Sequence, residues 1–401
     1  MNTAGHGVKA VSDAVMDSKP GPAGMTWRRA LVLTLPQALL LSVVLLKNLP
    51  VPTPTEYWIA FPIALLFFCG LFFMMLWTGR TDPFRAAGFV AYALMLSLSF
   101  ATHMIAARGS ISLSLARVLE CEVPFCHIVT PMLVVPAALT GSLIFPGRIS
   151  GAYASIAGML VLVAVAALAI GRGFCGWACF FGGWDDGFSR VLPRPLIRRS
   201  PAALVYLPFA VLLLVAIGSA AALSPVYCQW ICPFKAVTEF EAVTSARVLV
   251  QTVIFVSLFL VLVVALPMLT RRRTQCGLFC PMGAFLSFAN SVSPFTVRID
   301  PGRCVKCGRC VRACPVFALD ERSLETGRPR LTCLKCGRCV DVCPRGAVRF
   351  RIRLVPASFG AGSQRVLFLY AAFVFLAVMG GVNVQQGLSR LVKWVMTGSL
   401  V

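Results

Sequence analysis

Seventeen cysteines stand in a chain of 401 residues, and most fall in short patterns with the spacing of metal ligands. The densest is CVKCGRCVRACP, residues 304–315, where Cys304, Cys307, Cys310 and Cys314 follow C-x2-C-x2-C-x3-C-P. Cys333, Cys336, Cys339 and Cys343 repeat the pattern 29 residues later in CLKCGRCVDVCP. Thiolates suit iron–sulfur clusters. Three cysteines in two short steps wrap one corner of a cubane, and the fourth, ahead of proline, ligates the neighbouring cluster when two such motifs are present. This spacing assigns Cys304, Cys307, Cys310 and Cys343 to one [4Fe–4S] cluster, and Cys333, Cys336, Cys339 and Cys314 to a second. Structural zinc would use two C-x2–4-C pairs instead of two triplets each followed by C-P. Between Arg298 and Arg353, 14 Lys and Arg face five Asp and Glu. Positive charge beside an anionic cluster eases its reduction, and it also suits anionic lipid headgroups.

Four more pairs lie outside this segment. CGWAC (Cys175, Cys179), CQWICP (Cys228, Cys232) and CGLFCP (Cys276, Cys280) each follow an apolar run, and CEVPFC (Cys121, Cys126) precedes a proline-broken one. On a helix, residues i and i+4 share a face, so both thiols of a C-x3-C pair can meet one centre. These eight are candidate ligands of further metal centres or a redox-active thiol set. Disulfides stay open for pairs on an oxidising side. Cys69, alone in an apolar run, reads as a small core residue. Without C-x-x-C-H there is no covalent haem, and without a glycine-rich phosphate loop no nucleotide chemistry. Of His6, His103 and His127, the last sits beside Cys126 as a candidate cluster ligand, proton carrier or quinone contact, or as a structural hydrogen-bond partner. Asp185 and Asp186 in GWDDGF could relay protons from a quinol, or cap a helix and pair with Arg190 or Arg194.

The elements that position these residues are apolar. Hydrophobic residues make up 58% and charged ones 13%, with a mean hydropathy of +0.82, the composition of a polytopic α-helical membrane protein. Seven spans are expected at about 30–46, 57–77, 86–106, 151–171, 202–222, 248–269 and 366–384. An eighth apolar segment, about 127–146, carries Pro131, Pro136 and Pro146 and is expected to be re-entrant. Only then do Arg172, Arg190, Arg194, Arg198, Arg199, Arg271–Arg273 and the 296–353 insert share the N-terminal, cytoplasmic side, as the positive-inside bias requires. The expected organisation is a cytoplasmic tail without fixed structure (1–26), a transmembrane domain with the C-x3-C motifs (27–295), an inserted α+β two-cluster bacterial-type ferredoxin domain (296–353) and a last helix with its tail (354–401). No cleavable leader is expected at the first apolar run. This topology puts Cys175, Cys179, Cys276 and Cys280 at the inner surface and Cys121, Cys126, Cys228 and Cys232 at the outer one. The net charge of +22 belongs to helix ends and cluster motifs, with no nucleic-acid-binding module.

CQWICPFKAV, CGLFCPMGAF and the 304–343 double motif resemble the membrane polyferredoxin family that includes NapH, NosR and CcoG, over about residues 150–350. NapH-like members resemble it most. CGWACFFGG departs from the family by lacking proline after Cys179, and the 121–126 pair is not a family feature. The resemblance implies a protein of the bacterial inner membrane that moves electrons between a cytoplasmic donor or the quinone pool and a redox partner, alone or with other subunits of a respiratory complex. A second implied role is reduction of copper during assembly of a respiratory enzyme. A transporter with a regulatory ferredoxin is disfavoured by the scarcity of charge in the spans.

Overall fold

The computed structural model describes residues 24–108, 112–113, 126–141, 156–197, 202–237, 240–241, 243, 245–356 and 359–400. Among these residues, six helices are long and apolar enough to cross a membrane. Three open the chain: α1 (Trp27–Lys47), α2 (Thr55–Thr78) and α3 (Asp82–Arg108). At about 1.5 Å per residue, the 21 residues of α1 reach roughly 31 Å, enough for a hydrocarbon core of about 30 Å. The re-entrant expectation falls on a turn at His127–Val129 and the eleven-residue α4 (Thr130–Thr140), too short to cross. Then come α5 (Ile156–Ile170), whose apolar run continues to Trp177, and α6 (Phe180–Phe188).

The fifth expected span is an apolar segment whose α-helical part is short. Its helix, α7 (Leu207–Ala222), has only 16 residues, roughly 24 Å. Pro208 starts it late, after a 3-10 turn at Ala202–Val205, and Leu223 ends it in the left-handed conformation at φ 47°. It packs against α4, so two shorter apolar helices lie side by side. Next, α8 (Ala246–Leu258) continues through a π-helical stretch to Thr270, and α9 (Pro281–Ala289) follows.

Beyond α9, the chain leaves the helical bundle for a small unit built on two antiparallel strands. Strands β3 (Phe295–Ile299) and β4 (Val348–Ile352) pair with Val297 opposite Phe350. Between them lie three short helices, α10 (Arg309–Ala313), α11 (Glu321–Thr326) and α12 (Arg338–Asp341). The chain returns through the 37-residue α13 (Ala361–Thr397), whose Phe368 stacks on Phe350 at a centroid distance of 4.2 Å.

Contacts sort the loops into two sides. Asp341 Oδ2 accepts from the Thr81 and Asp82 amides at 2.8 and 2.6 Å, Trp177 Nε1 donates to the Lys335 carbonyl at 3.1 Å, and Arg273 N donates to Pro315 O at 2.8 Å. The ends of α2, of the α5 run and of the α8 run therefore all meet the β3–β4 unit. On the far side, β1 (Ser112–Leu113) pairs in parallel with β2 (Phe240–Glu241), joining the loops after α3 and α7.

Candidate metal centres

Local backbone makes the two halves of the repeat alike. Lys306 and Lys335 both take positive φ, at 50° and 52°, which swings the chain between the first cysteine and the second. Gly308 and Gly337 follow at φ 70° and 88°, a conformation open to glycine without cost, and they cap α10 and α12. Later, the Ala318 and Ala347 amides each donate to the sulfur four residues back, Cys314 and Cys343, at 3.2 Å. These are hydrogen bonds of the kind that tune a cluster sulfur.

The chain brings Cys304, Cys307, Cys310 and Cys343 around one cavity, and Cys314, Cys333, Cys336 and Cys339 around another. The spaces not filled by protein atoms are close in size, about 330 and 360 Å³. Crossed membership is thus present in the folded chain: Cys343 joins the first triplet and Cys314 the second. Among the described residues, no three His, Cys, Asp or Glu are close enough to hold a single ion. Four thiols ringing a void fit a polynuclear group, each sulfur meeting its own iron.

The C-x3-C pairs share another geometry. Cys276 and Cys228 lie in π-helical turns, Gln275–Phe279 and Tyr227–Ile231, while Cys175 lies in the turn Phe174–Trp177. Their partners Cys280, Cys232 and Cys179 have extended backbone, with ψ 114°, 108° and 109°. The Cys179 and Cys280 amides reach back five residues, to Phe174 O and Gln275 O at 3.1 and 2.9 Å. The expectation of one continuous helical face is therefore corrected: the wide turn ends at the second cysteine and a new helix starts after it. Phe180 begins α6 at the place where Pro281 begins α9, so the missing proline leaves the geometry intact. Wide turns of this sort recur at functional sites.

The expected separation of the pairs is also corrected. Cys175, Cys179, Cys276 and Cys280 gather as expected, all buried. Cys126 and Cys232, however, lie close to them: Cys126 is within electrostatic reach of both Cys232 and Cys280, and Cys228 of Cys126 and Cys232. Tyr227 OH accepts from Gln275 Nε2 at 2.8 Å, which ties the turn of Cys228 to the turn of Cys276. His127 Nε2 lies 3.0 Å from Cys179 Sγ inside a ring of Phe174, Phe180 and Phe181, and Phe181 stands 4.2 Å from Phe234, centroid to centroid. Cys121 lies outside the described residues. Cys69 is half-buried within α2, apart from these groups.

Charge around the inner four thiols was only half visible in the sequence. Arg172 and Arg273, expected as flanking charges, are fully buried, and so is Arg85. Arg85 bridges the Gly176 carbonyl (2.8 Å) to Asp82 and Asp186 (2.9 and 3.0 Å). Arg172 donates to Ser287 Oγ and the Cys276 carbonyl, at 2.9 and 2.8 Å, both uncharged. Arg273 Nη2 reaches the Cys175 carbonyl at 2.8 Å and Cys276 Sγ at 3.4 Å. Arg172 Nε and Arg273 Nε and Nη1 are buried without a hydrogen-bond partner. Asp185 and Asp186 lie within electrostatic reach of Arg273, but no carboxylate among the described residues compensates Arg172. An uncompensated buried cation costs several kcal/mol, so the site fits an anion held by the four thiols. Arg172 stands just before the first of these cysteine loops and Arg273 three residues before Cys276; that adjacency was the available signal.

Asp186 pairs with Arg85 and with Arg190 (3.1 Å), one of the two partners expected. Although burial opposes it, those guanidinium groups hold its carboxyl well below the usual range. Asp185 accepts from the Cys276 amide at 2.8 Å, and burial pushes its carboxyl up to about 7 against the pull of Arg273. It braces the cysteine turn directly.

The inner thiols sit against the second ferredoxin cavity. A Cβ on Gly176 would come within 2.8 Å of Leu334 O, so glycine in CGWAC permits the close approach. From the other side, Arg273 N holds Pro315 O, next to Cys314.

Comparison with known proteins agrees with this division. Residues 296–344 match a 4Fe-4S dicluster domain. Residues 152–199, 205–245 and 252–299 match a 4Fe-4S binding domain three times in tandem, each match holding one C-x3-C pair. The chain is similar to an uncharacterized protein of Methanocaldococcus jannaschii, 28% identical over 176 residues (42% of this chain, 68% of the relative). It is similar to YccM of Escherichia coli, named as an electron transport protein, 25% identical over 183 residues (42% and 48%). It is also similar to the methylamine utilization ferredoxin-type protein MauN of Methylobacillus flagellatus, 31% identical over 83 residues (20% and 28%). The chain thus spans about half of YccM and less of MauN. No solved structure matches significantly. Apolar helices, doubled cluster motifs and these relatives place the chain among the membrane-type polyferredoxins, iron–sulfur proteins of electron transport.

Proposed function

We propose that the chain conducts single electrons from the inner face of a bacterial cytoplasmic membrane towards its outer face. The observation that carries this reading is the series of thiol sets. It runs from Cys304, Cys307, Cys310 and Cys343, through Cys314, Cys333, Cys336 and Cys339, to Cys175, Cys179, Cys276 and Cys280, and on to Cys126, Cys228 and Cys232. Bound at the first three sets, [4Fe–4S] clusters supply one-electron carriers. Tunnelling decays exponentially with distance, and the hydrocarbon core is about 30 Å thick, so a relay within the membrane is needed. The chain meets that need by folding its far-side cysteine loop inward and by docking Gly176 and Arg273 on the second cavity. Arg172 and Arg273 hold positive charge beside the third set, which favours an anionic centre there. The N-terminus and the 296–353 domain are cytoplasmic in this reading, and the donor is a soluble carrier or a quinol. The organisation into 1–26, 27–295, 296–353 and 354–401 belongs to the same proposal. Copper handling fits less well, because Cys175, Cys179, Cys232, Cys276 and Cys280 are buried, whereas delivery of an ion needs reach.

The test is transfer across a sealed membrane. The full chain is placed in vesicles with ferricyanide trapped inside, and reductant is added outside. Reduction of the trapped ferricyanide is expected, with about twelve irons per chain, four for each of three clusters. In Cys175→Ser/Cys276→Ser, transfer stops and about four irons are lost, while the reduced 304–343 clusters keep their EPR signals. Wild-type vesicles that pass no electrons, or equal iron in both proteins, would refute the relay.

A further inference from the structure

Of the sixteen described cysteines, Cys307 alone is exposed. Arg309, two residues on, lines both the cavity of Cys307 and a cleft of about 1130 Å³, whose lining holds seven arginines and a single acid, Asp341. Arg309 and Arg312 come from α10, the helix that carries Cys310, and Arg338 from α12, which carries Cys339. Arg271 and Arg272 close the cleft from the end of the α8 run. The Arg312 guanidinium lies over Gly308, where a Cβ would meet Nη1 at 3.2 Å, one residue from Cys307. Arg272 lies 4.2 Å from the Phe317 ring centroid and donates to the Cys314 carbonyl, so the cleft floor touches the end of the first motif. Burial, and then the neighbouring charges of Arg338 and Arg190, push Arg271 downward.

We propose that this cleft docks an acidic, soluble one-electron carrier protein, held by carboxylates against Arg309, Arg312 and Arg272, with its redox centre next to Cys307. The proposal rests on the electron-transport reading above and names the partner for it. An anionic cluster would repel an acidic protein, and a ring of guanidinium groups at its exposed ligand converts that repulsion into steering. The step moves one electron: the reduced carrier is oxidised by one electron, the 304–343 site is reduced by the same electron, and no proton or bond changes hands. Electrostatic docking of this kind sets the encounter rate more than the final affinity.

Stopped-flow mixing of the full chain, in nanodiscs of neutral phosphatidylcholine, with a pre-reduced acidic [2Fe–2S] ferredoxin tests this. The second-order rate is expected to fall at least about tenfold between about 20 and 300 mM salt. Arg309→Glu/Arg312→Glu should lower the low-salt rate at least about tenfold, while Arg298→Glu/Arg351→Glu, on the basic strand face, should stay within about twofold. Equal loss in both variants, an unchanged rate in the cleft variant, or an equally fast reaction with a basic carrier overturns the docking site. A deficit confined to discs containing phosphatidylglycerol would assign the cleft to lipid headgroups and also overturns it. Photoreduction by a neutral deazaflavin separates the two readings. Full cluster EPR signals with unchanged carrier rates sink only the docking site, whereas absent signals in wild type sink the iron–sulfur reading beneath it.

Discussion

Residues 304–319 and 333–348 are nearly the same peptide, yet they live in different surroundings. Lys306 and Cys307 face water, while their counterparts Lys335 and Cys336 are 3% and 7% exposed. Lys335 Nζ donates to the Ile170 carbonyl and Ser293 Oγ at 2.8 and 3.0 Å, and burial pushes its ammonium down to about 7. A Cβ on Gly308 would meet only the end of the flexible Arg312, whereas one on Gly337 would strike Thr81 Cβ at 2.8 Å. The backbone that cradles a cluster is therefore written locally and twice. What each copy does depends on what stands against it: solvent and a basic cleft for the first, the cysteine turns of the helical bundle for the second. In the proposal made above, the first copy serves exchange with a partner and the second serves conduction inward.

The comparison breaks most visibly under iron removal. An oxidant with a membrane-impermeant chelator should strip the Cys307 site first, giving loss of about four irons before any loss from the Cys336 site. EPR of the residual clusters checks it, and simultaneous loss would show that burial does not separate the halves. The next contrast is steric. Gly176→Ala drives a methyl group to 2.8 Å from Leu334 O, whereas Gly277→Ala meets Val316 Cα at 3.6 Å. The first should cost about 1–3 kcal/mol and the second under about 1 kcal/mol, read as thermal inactivation of the reduced EPR signal. Equal costs would mean that the 175–179 turn does not press on the second cavity. A contrast of similar size is Lys335→Ala, which removes the donor to two buried acceptors and should cost about 1–3 kcal/mol, against under about 0.5 kcal/mol for Lys306→Ala. Similar denaturation curves for the two would erase the distinction between the copies.

Much of this was readable from residues alone. Apolar runs located the six long helices because a membrane span is a matter of length and composition. That Cys343 lines the cavity of the first triplet and Cys314 that of the second accords with the spacing, in which the C-P step turns the fourth cysteine away from its own triplet. The run 202–222 located α7 but not its boundaries, because it is apolar throughout. Where Pro208 delays a helix and Leu223 reverses the chain is not recorded in hydropathy. His127 carried no local sign that its ring would sit 3.0 Å from Cys179, 52 residues away.

By itself, the amino-acid order determined ligand types, their grouping into motifs and the apolar character of the bundle, since these depend on neighbours within a few residues. Only the tertiary structure decided depth and adjacency. It placed the Cys228 turn beside Cys276, buried Arg172 and Arg273 among the thiols, and pressed one copy of the repeat onto the bundle while leaving the other in water. The physical reason is that burial and contact belong to pairs of segments distant in the chain, and packing alone selects which segments meet.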